Sequence, residues 1–234
     1  MVKSTGYLSK MFFDYLGEEN SAIFLAYTNL YLKESFDDGI VWLQTDENDC
    51  ITAVVATGEN GKCLCFAKEN ADFDELKFIT KNEFTSPDIH DFMRIDKKYL
   101  LCKNIDSLKC EEGINYKRFA EIKALDGTEY SENKSLIELK MFFNLKGICC
   151  GELVIENGEN ISGGFITFSD DFAVITDVFT KEEYRGKGYG KCLVEKLLNC
   201  STKEKVYLTS KEHNVKFYEK LGFEVVKEIY EYKK

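Results

Sequence analysis

Proline occurs once in 234 residues, at Pro87. Punctuation in this chain is therefore read from glycine and polar clusters. Histidine is nearly as scarce, at His90 and His213, and arginine is confined to Arg94, Arg118 and Arg185. No apolar run approaches the ~20 residues that a membrane-spanning helix needs. The segment Met1-Val2-Lys3-Ser4-Thr5-Gly6-Tyr7 lacks the apolar stretch of a signal peptide, so the cytoplasm is the expected compartment. Basic residues are outnumbered, 31 against 41 acidic, for a net charge of -10. Such a chain is a poor electrostatic partner for nucleic acid or an anionic membrane, and neither is expected.

Paired cysteine motifs are missing too. The nine cysteines include a CxC, Cys63-Leu64-Cys65, and a vicinal pair, Cys149-Cys150, but no CxxC. Without zinc-ribbon spacing they read as small apolar residues in a reducing compartment, and no metal is expected.

What the chain does have is a sizeable core. Hydrophobic residues make up 44% and charged residues 31%, which suits one large domain or two small ones. The charge is uneven: residues 171–234 hold 13 basic against 11 acidic side chains, while residues 1–170 carry a net -12. The last quarter is the region suited to a polyanionic small ligand.

Apolar spacing predicts an early helix over Asn20–Leu32, then strands at Ile40–Gln44, Ile51–Thr57 and Cys63–Ala67 joined by polar turns, an antiparallel meander. A helix around Asp72–Lys81 and a strand at Tyr99–Lys103 follow, and Asp106–Tyr116 reads as a connector. The second half begins with a helical pattern around Ser131–Asn144. Strands come next at Gly147–Ile155, Ile161–Phe168 and Phe172–Thr180. Lys191–Asn199 is an amphipathic helix with Leu193, Val194, Leu197 and Leu198 on its apolar face. A short strand Val206–Ser210, a helix Asn214–Lys220 closed by Gly222, and strands Phe223–Val226 and Glu228–Tyr232 complete the pattern. Glu47–Ala67 laid on Glu159–Phe179 puts strand on strand and turn on turn, a faint internal repeat whose first copy lacks a glycine loop.

The second copy has one. Arg185-Gly186-Lys187-Gly188-Tyr189-Gly190 lies between a strand and a helix. Three glycines let a ligand approach the backbone, and the free N–H groups at a helix start attract phosphate oxygens. A tight turn with solvated charges would use the same glycines. The loop fits neither GxGxxG, since Lys191 and Leu193 stand where glycine is required, nor the P-loop, since Cys192 follows Lys191. Counted from Arg185 it reads RxxGxG.

In that form it resembles the acetyl-CoA loop of the GNAT superfamily of N-acetyltransferases, [RQ]xxGx[GA]. Ile175–Thr180 resembles the strand preceding that loop, and Asn214-Val215-Lys216-Phe217-Tyr218-Glu219-Lys220-Leu221-Gly222-Phe223 resembles the family's NxxAxxFYxxxGF segment. The resemblance implies acetyl-CoA as acyl donor, no metal, and a small-molecule or peptide amine as acceptor. It implies that backbone N–H groups of Arg185, Gly186, Lys187, Gly188, Tyr189, Gly190 and Lys191 hold the pyrophosphate. The edge of Val178, Phe179 and Thr180 would pair with the pantetheine arm, and the Val178 N–H would face the oxyanion. Tyr218 matches the tyrosine that protonates the departing thiolate; a packing aromatic is its alternative. Asn214 matches a CoA contact, and a helix N-cap is its alternative. Glu152, Asp177 and Glu183 are candidate bases, and none is named.

The expected fold is α/β, a mixed, largely antiparallel sheet flanked by helices, of the acyl-CoA N-acyltransferase type, in two tandem related domains. Residues 131–234 would be catalytic. Residues 1–130 would be a degenerate acetyltransferase-like domain or an unrelated α+β domain. The expected function is acetyl transfer to a primary amine by direct attack in a ternary complex; a non-catalytic acyl-CoA-binding sensor or interaction module is the alternative.

Overall fold

A computed structural model describes residues 2–4, 10–28, 40–57, 63–74, 76, 83–86, 93–105, 114–118, 147 and 149–233. The helical pattern over 131–144 and most of 72–81 lie outside them. So does the boundary expected at 130/131.

The chain divides into two compact units. The first comprises residues 1–101, 209–220 and 224–234; the second comprises 102–208 and 221–223.

In the first unit, β1 (Val2–Ser4), β2 (Ile40–Thr45), β3 (Ile51–Thr57) and β4 (Cys63–Ala67) are successive antiparallel neighbours. The expected meander is present. β5 (Glu83–Ser86) then joins β4 in parallel, and β12 (Glu224–Lys233) lies antiparallel to β5. A strand from the far end of the chain thus completes the N-terminal unit. Its core gathers Ala53, Val55, Cys63, Cys65, Leu76 and Tyr232. The buried Gln44 amide holds Asp72 from both sides, accepting from its N–H at 2.8 Å and donating to its carbonyl at 3.2 Å.

Helix α1 runs over Lys10–Thr28, starting well before the expected Asn20. Gly17, at φ 69°, kinks it, which breaks the apolar periodicity that would have revealed the first turns. Strand β6 (Met93–Asn104) also starts earlier than expected. Its polar stretch is held by ion pairs from Lys97 to Glu228 and from Lys98 to Glu231. β12 is one strand, not the two expected, because Lys227 keeps its charge at the surface in an ion pair with Glu19.

The second unit repeats the order of the first. β7 (Asn115–Arg118), β8 (Cys149–Glu156), β9 (Glu159–Phe168) and β10 (Phe172–Thr180) are antiparallel neighbours, and β11 (Lys205–Lys211) joins β10 in parallel. β7 occupies the end of the segment expected to be a connector. It is polar because it lies at the edge among the described strands; Tyr116 turns partly inward, its hydroxyl donating to Cys192 O at 3.2 Å.

Helix α2 (Tyr189–Asn199) lies on β8, β9 and β10 and buries Cys192, Leu193, Val194, Leu197 and Leu198, the expected apolar face plus one thiol. Helix α3 (Glu212–Glu219) starts before the expected Asn214 and belongs to the first unit. The fold is mixed α/β with a mostly antiparallel sheet, as expected. No described helix is long and apolar enough to cross a membrane.

Candidate functional site

Strand β10 carries a defect at the residues of interest. Its ladder to β9 pairs Thr176 with Phe165 and next Phe179 with Gly163, three steps against two. One extra residue is therefore inserted, a β-bulge, with Asp177 at φ 53°. Aspartate tolerates that left-handed geometry better than most residues.

Two glycines of β9 make room for it. A Cβ on Gly163 would stand 2.7 Å from the Phe179 ring and 2.8 Å from Leu153; one on Gly164 would stand 3.2 Å from Val178 Cγ2. Past the bulge, the fully buried Ser162 hydroxyl donates to Phe179 O at 2.6 Å, and its oxygen lies 2.9 Å from Thr180 Oγ1. Because the single Ser162 proton is committed, Thr180 donates in that second bond. Sequence reasoning missed Ser162, Gly163 and Gly164. A glycine pair inside a strand was the available signal.

On the other side of β10, parallel pairing with β11 runs from Phe172↔Lys205 to Ile175↔Leu208. Thr176–Thr180 extends beyond that last pair. The strand end is tied to the glycine loop by Arg185, whose Nε donates to Thr180 O at 3.0 Å.

Between them a single turn of 3-10 helix, Glu182–Tyr184, leads into the loop. Gly186 and Gly188 have φ of 75° and 92°, and added Cβ atoms there would meet nothing within 4 Å. These glycines serve the backbone turn and the open space in front of it, not internal packing. Gly188 is the N-cap of α2 and supplies no side-chain cap. The first N–H groups of α2 therefore meet no capping side chain at the positive end of the helix dipole.

The corresponding turn after β4 is built differently. There Asp72 puts its own carboxylate on the Asp74 N–H at 3.0 Å. A fixed negative charge sits where the other unit offers only backbone N–H.

The cations of the loop are exposed and partly engaged. Lys187 Nζ lies 5.2 Å from the Tyr184 ring centroid, and Lys191 is 3.9 Å from Glu195. Beneath the loop, Glu159 accepts from Lys181 at 2.6 Å and Tyr184 at 3.0 Å. Those bonds hold its carboxyl below the usual range.

The residues expected at the site fall in different units. Val178, Phe179, Thr180 and Arg185–Lys191 belong to the second, Asn214 and Tyr218 to the first. Tyr218 is the one buried side chain of α3, its ring 4.9 Å from Phe217 in a T-shaped contact. Burial pushes its phenol up to about 12. Asn214 is exposed within the first turn of α3 and is not its N-cap; Lys211 holds that place, with no side-chain cap. Among the candidate bases, Glu152 is buried and accepts from two thiols, and Glu183 is exposed.

A bulged strand running into a glycine loop at an uncapped helix start, with a parallel strand pairing only the first part of its edge, defines an acyl-CoA N-acyltransferase fold. Residues 150–225 match the family model of the acetyltransferase (GNAT) domain. The chain is 31% identical over 145 residues to the glucosamine 6-phosphate N-acetyltransferase 1 of Dictyostelium discoideum, covering 60% of this chain and 83% of that protein. Among solved structures, a GCN5-related N-acetyltransferase from Sphaerobacter thermophilus has the same fold at TM-score 0.60 and 11% identity, over 86% of this chain and 82% of that one. A tandem GNAT protein from the clavulanic acid biosynthesis pathway superposes at TM-score 0.58 and 8% identity, over 84% and 82% of the two chains. The chain belongs to the GNAT family of acetyltransferases. It is an acetyl-CoA-dependent acyltransferase.

Proposed function

We propose that the protein moves an acetyl group from acetyl-CoA to a primary amine by direct attack within a ternary complex. The observation that carries this reading is the uncapped, glycine-built start of α2 directly after a bulged β10. The backbone N–H groups of Arg185–Lys191 take the pyrophosphate, with Arg185, Lys187 and Lys191 adding positive charge. The Val178–Thr180 edge hydrogen-bonds the pantetheine amides as an added strand would. The bulge turns the Val178 N–H toward the thioester carbonyl, where it stabilises the oxyanion.

The neutral amine nitrogen attacks the thioester carbon, the C–S bond breaks, and the thiolate takes a proton while the amine loses one. Tyr218 is the donor to the thiolate. A phenol near 12 is fully protonated at neutral pH. A thiolate leaving into equally dry surroundings has its own affinity for protons raised, which narrows the mismatch between donor and acceptor.

The acceptor is a small amine. The Dictyostelium relative is named for an amino-sugar phosphate, which makes glucosamine 6-phosphate the first acceptor to try. The test is release of free CoA thiol over a panel of amines that includes this one, aliphatic polyamines and peptide N-termini. Amine-dependent release with a matching acetylated product is expected. Acetyl-CoA binding with no turnover on any amine would instead favour an acyl-CoA-binding module.

A further inference from the structure

Three side chains that the proposed acyl transfer does not use converge between β8 and α2. Cys150 and Glu152 are two residues apart on β8 and share one face. Cys200 is the C-cap of α2, the helix packed on that strand. Both thiols donate to one oxygen, Glu152 Oε1, each at 3.6 Å. The two sulfurs and the carboxylate oxygen all lie within 4.8 Å of one another. Cys150 is 5% exposed and Glu152 6%. A carboxyl buried under a helix is costly unless something repays its lost hydration, and thiols are weak donors.

The spacing suits a tetrahedral cation. With zinc–sulfur bonds of about 2.3 Å and zinc–oxygen bonds of about 2.0 Å, the sulfur and oxygen ligands of one ion stand about 3.5 Å apart. Both S···O separations here are 3.6 Å.

The charges suit a divalent ion. Two thiolates and a carboxylate carry three negative charges, and a divalent cation leaves one. Arg118 faces Glu152 across the β7–β8 ladder, and its Nη2 lies 3.7 Å from Cys150 Sγ. Its guanidinium brings the cluster to neutrality, the condition under which buried charge is least costly. A monovalent ion would leave the cluster negative. The carbonyl end of α2 adds a further negative pole beside Cys200.

We propose that Cys150, Glu152 and Cys200 bind one zinc-class divalent cation, with Arg118 as the outer partner of the Cys150 sulfur. Water takes the fourth position, and binding releases the two thiol protons to solvent. Sulfur ligands select zinc over magnesium or calcium. The ion pins the C-terminal end of α2 to β8. Its role is structural, independent of the acyl-transfer reading.

The test uses the whole protein, reduced and stripped with a chelator, then titrated with Co2+ and afterwards with Zn2+. One Co2+ per chain is expected, with thiolate-to-cobalt charge-transfer absorption, displacement by Zn2+ and a raised Tm. Cys150→Ser and Cys200→Ser should each abolish the charge-transfer band. Glu152→Gln, which keeps the shape of the side chain, should weaken Co2+ binding at least tenfold. Arg118→Ala should weaken it by about 10–100-fold, the usual effect of losing an outer partner. Cys50→Ser, an exposed thiol in the first unit, should leave the titration unchanged. Absence of the band in the unaltered protein overturns the proposal without any variant. So does a band that survives the Cys150→Ser/Cys200→Ser double substitution, and so does formation of a Cys150–Cys200 disulfide by a protein that takes up no metal.

Discussion

Tyr218 shows how one side chain's surroundings set its chemistry. It is buried, edge-on to Phe217, and its phenol is pushed up to about 12 by desolvation alone. As the proposed proton donor it must stay protonated through the working range, so the rate should show no alkaline fall from Tyr218 below about pH 11. Tyr218→Phe keeps the ring packing and removes the donor. We expect kcat to drop by about 10²–10⁴-fold with acetyl-CoA affinity nearly constant, as single-turnover kinetics would report. The drop should shrink with an acyl donor whose leaving thiol is more acidic. An unaltered kcat, where chemistry limits the rate, would make Tyr218 a packing residue. The same burial has a cost in alkali. The folded state holds the Tyr218 proton more tightly than the unfolded state, whose phenol titrates near ~10. Stability from this group is complete below that pH and is lost as pH rises toward 12. Tm should therefore fall between about pH 10 and 12, less steeply in Tyr218→Phe. Tyr15, also raised by burial, leaves a remaining slope.

The bulge and the glycine loop form one device at the level of elements. Gly163 and Gly164 leave β9 bare where β10 swells toward it. Gly163→Ala would place a Cβ 2.7 Å from the Phe179 ring. We expect a loss of about 1–3 kcal/mol in denaturant unfolding, together with weaker acetyl-CoA binding as β10 shifts. Gly188→Asp sets a carboxylate at the proposed pyrophosphate position. Acetyl-CoA should raise the Tm of the unaltered protein and not that of this variant; an equal shift in both would remove the loop from the binding site. Much of this region is legible in the sequence. The limits of β10 agree with the sequence pattern to the residue, because a buried strand between polar turns has a sharp apolar edge. The face of α2 follows from its 3.6-residue period. Elements that depend on distant partners were not. β7 reads as a connector because an edge strand needs little apolar character. The continuity of β12 rests on ion pairs of Lys227 and Glu228 with residues far away in sequence. The Cys150–Glu152–Cys200 cluster joins cysteines 50 positions apart, a spacing that no short motif encodes.

At the scale of the whole molecule, each unit has four antiparallel strands followed by a parallel one, yet among the described residues only the second has an open helix start. In the first, Asp72 caps its own turn and Gln44 grips it from behind. A carboxylate in that place repels a pyrophosphate and already occupies the N–H group it would need. We expect one acetyl-CoA per chain by isothermal titration calorimetry, and none in Gly188→Asp. A stoichiometry of two would show a second site in the first unit. The placement of β12 bears on how the molecule is made. β5 has β4 on one edge and β12 on the other, while every strand of the second unit is encoded between β5 and β12. During translation β5 emerges early and must wait, one edge bare, until the ribosome has finished the second unit. The nascent first unit is then a natural client for chaperones, and the unit begun first is the one completed last.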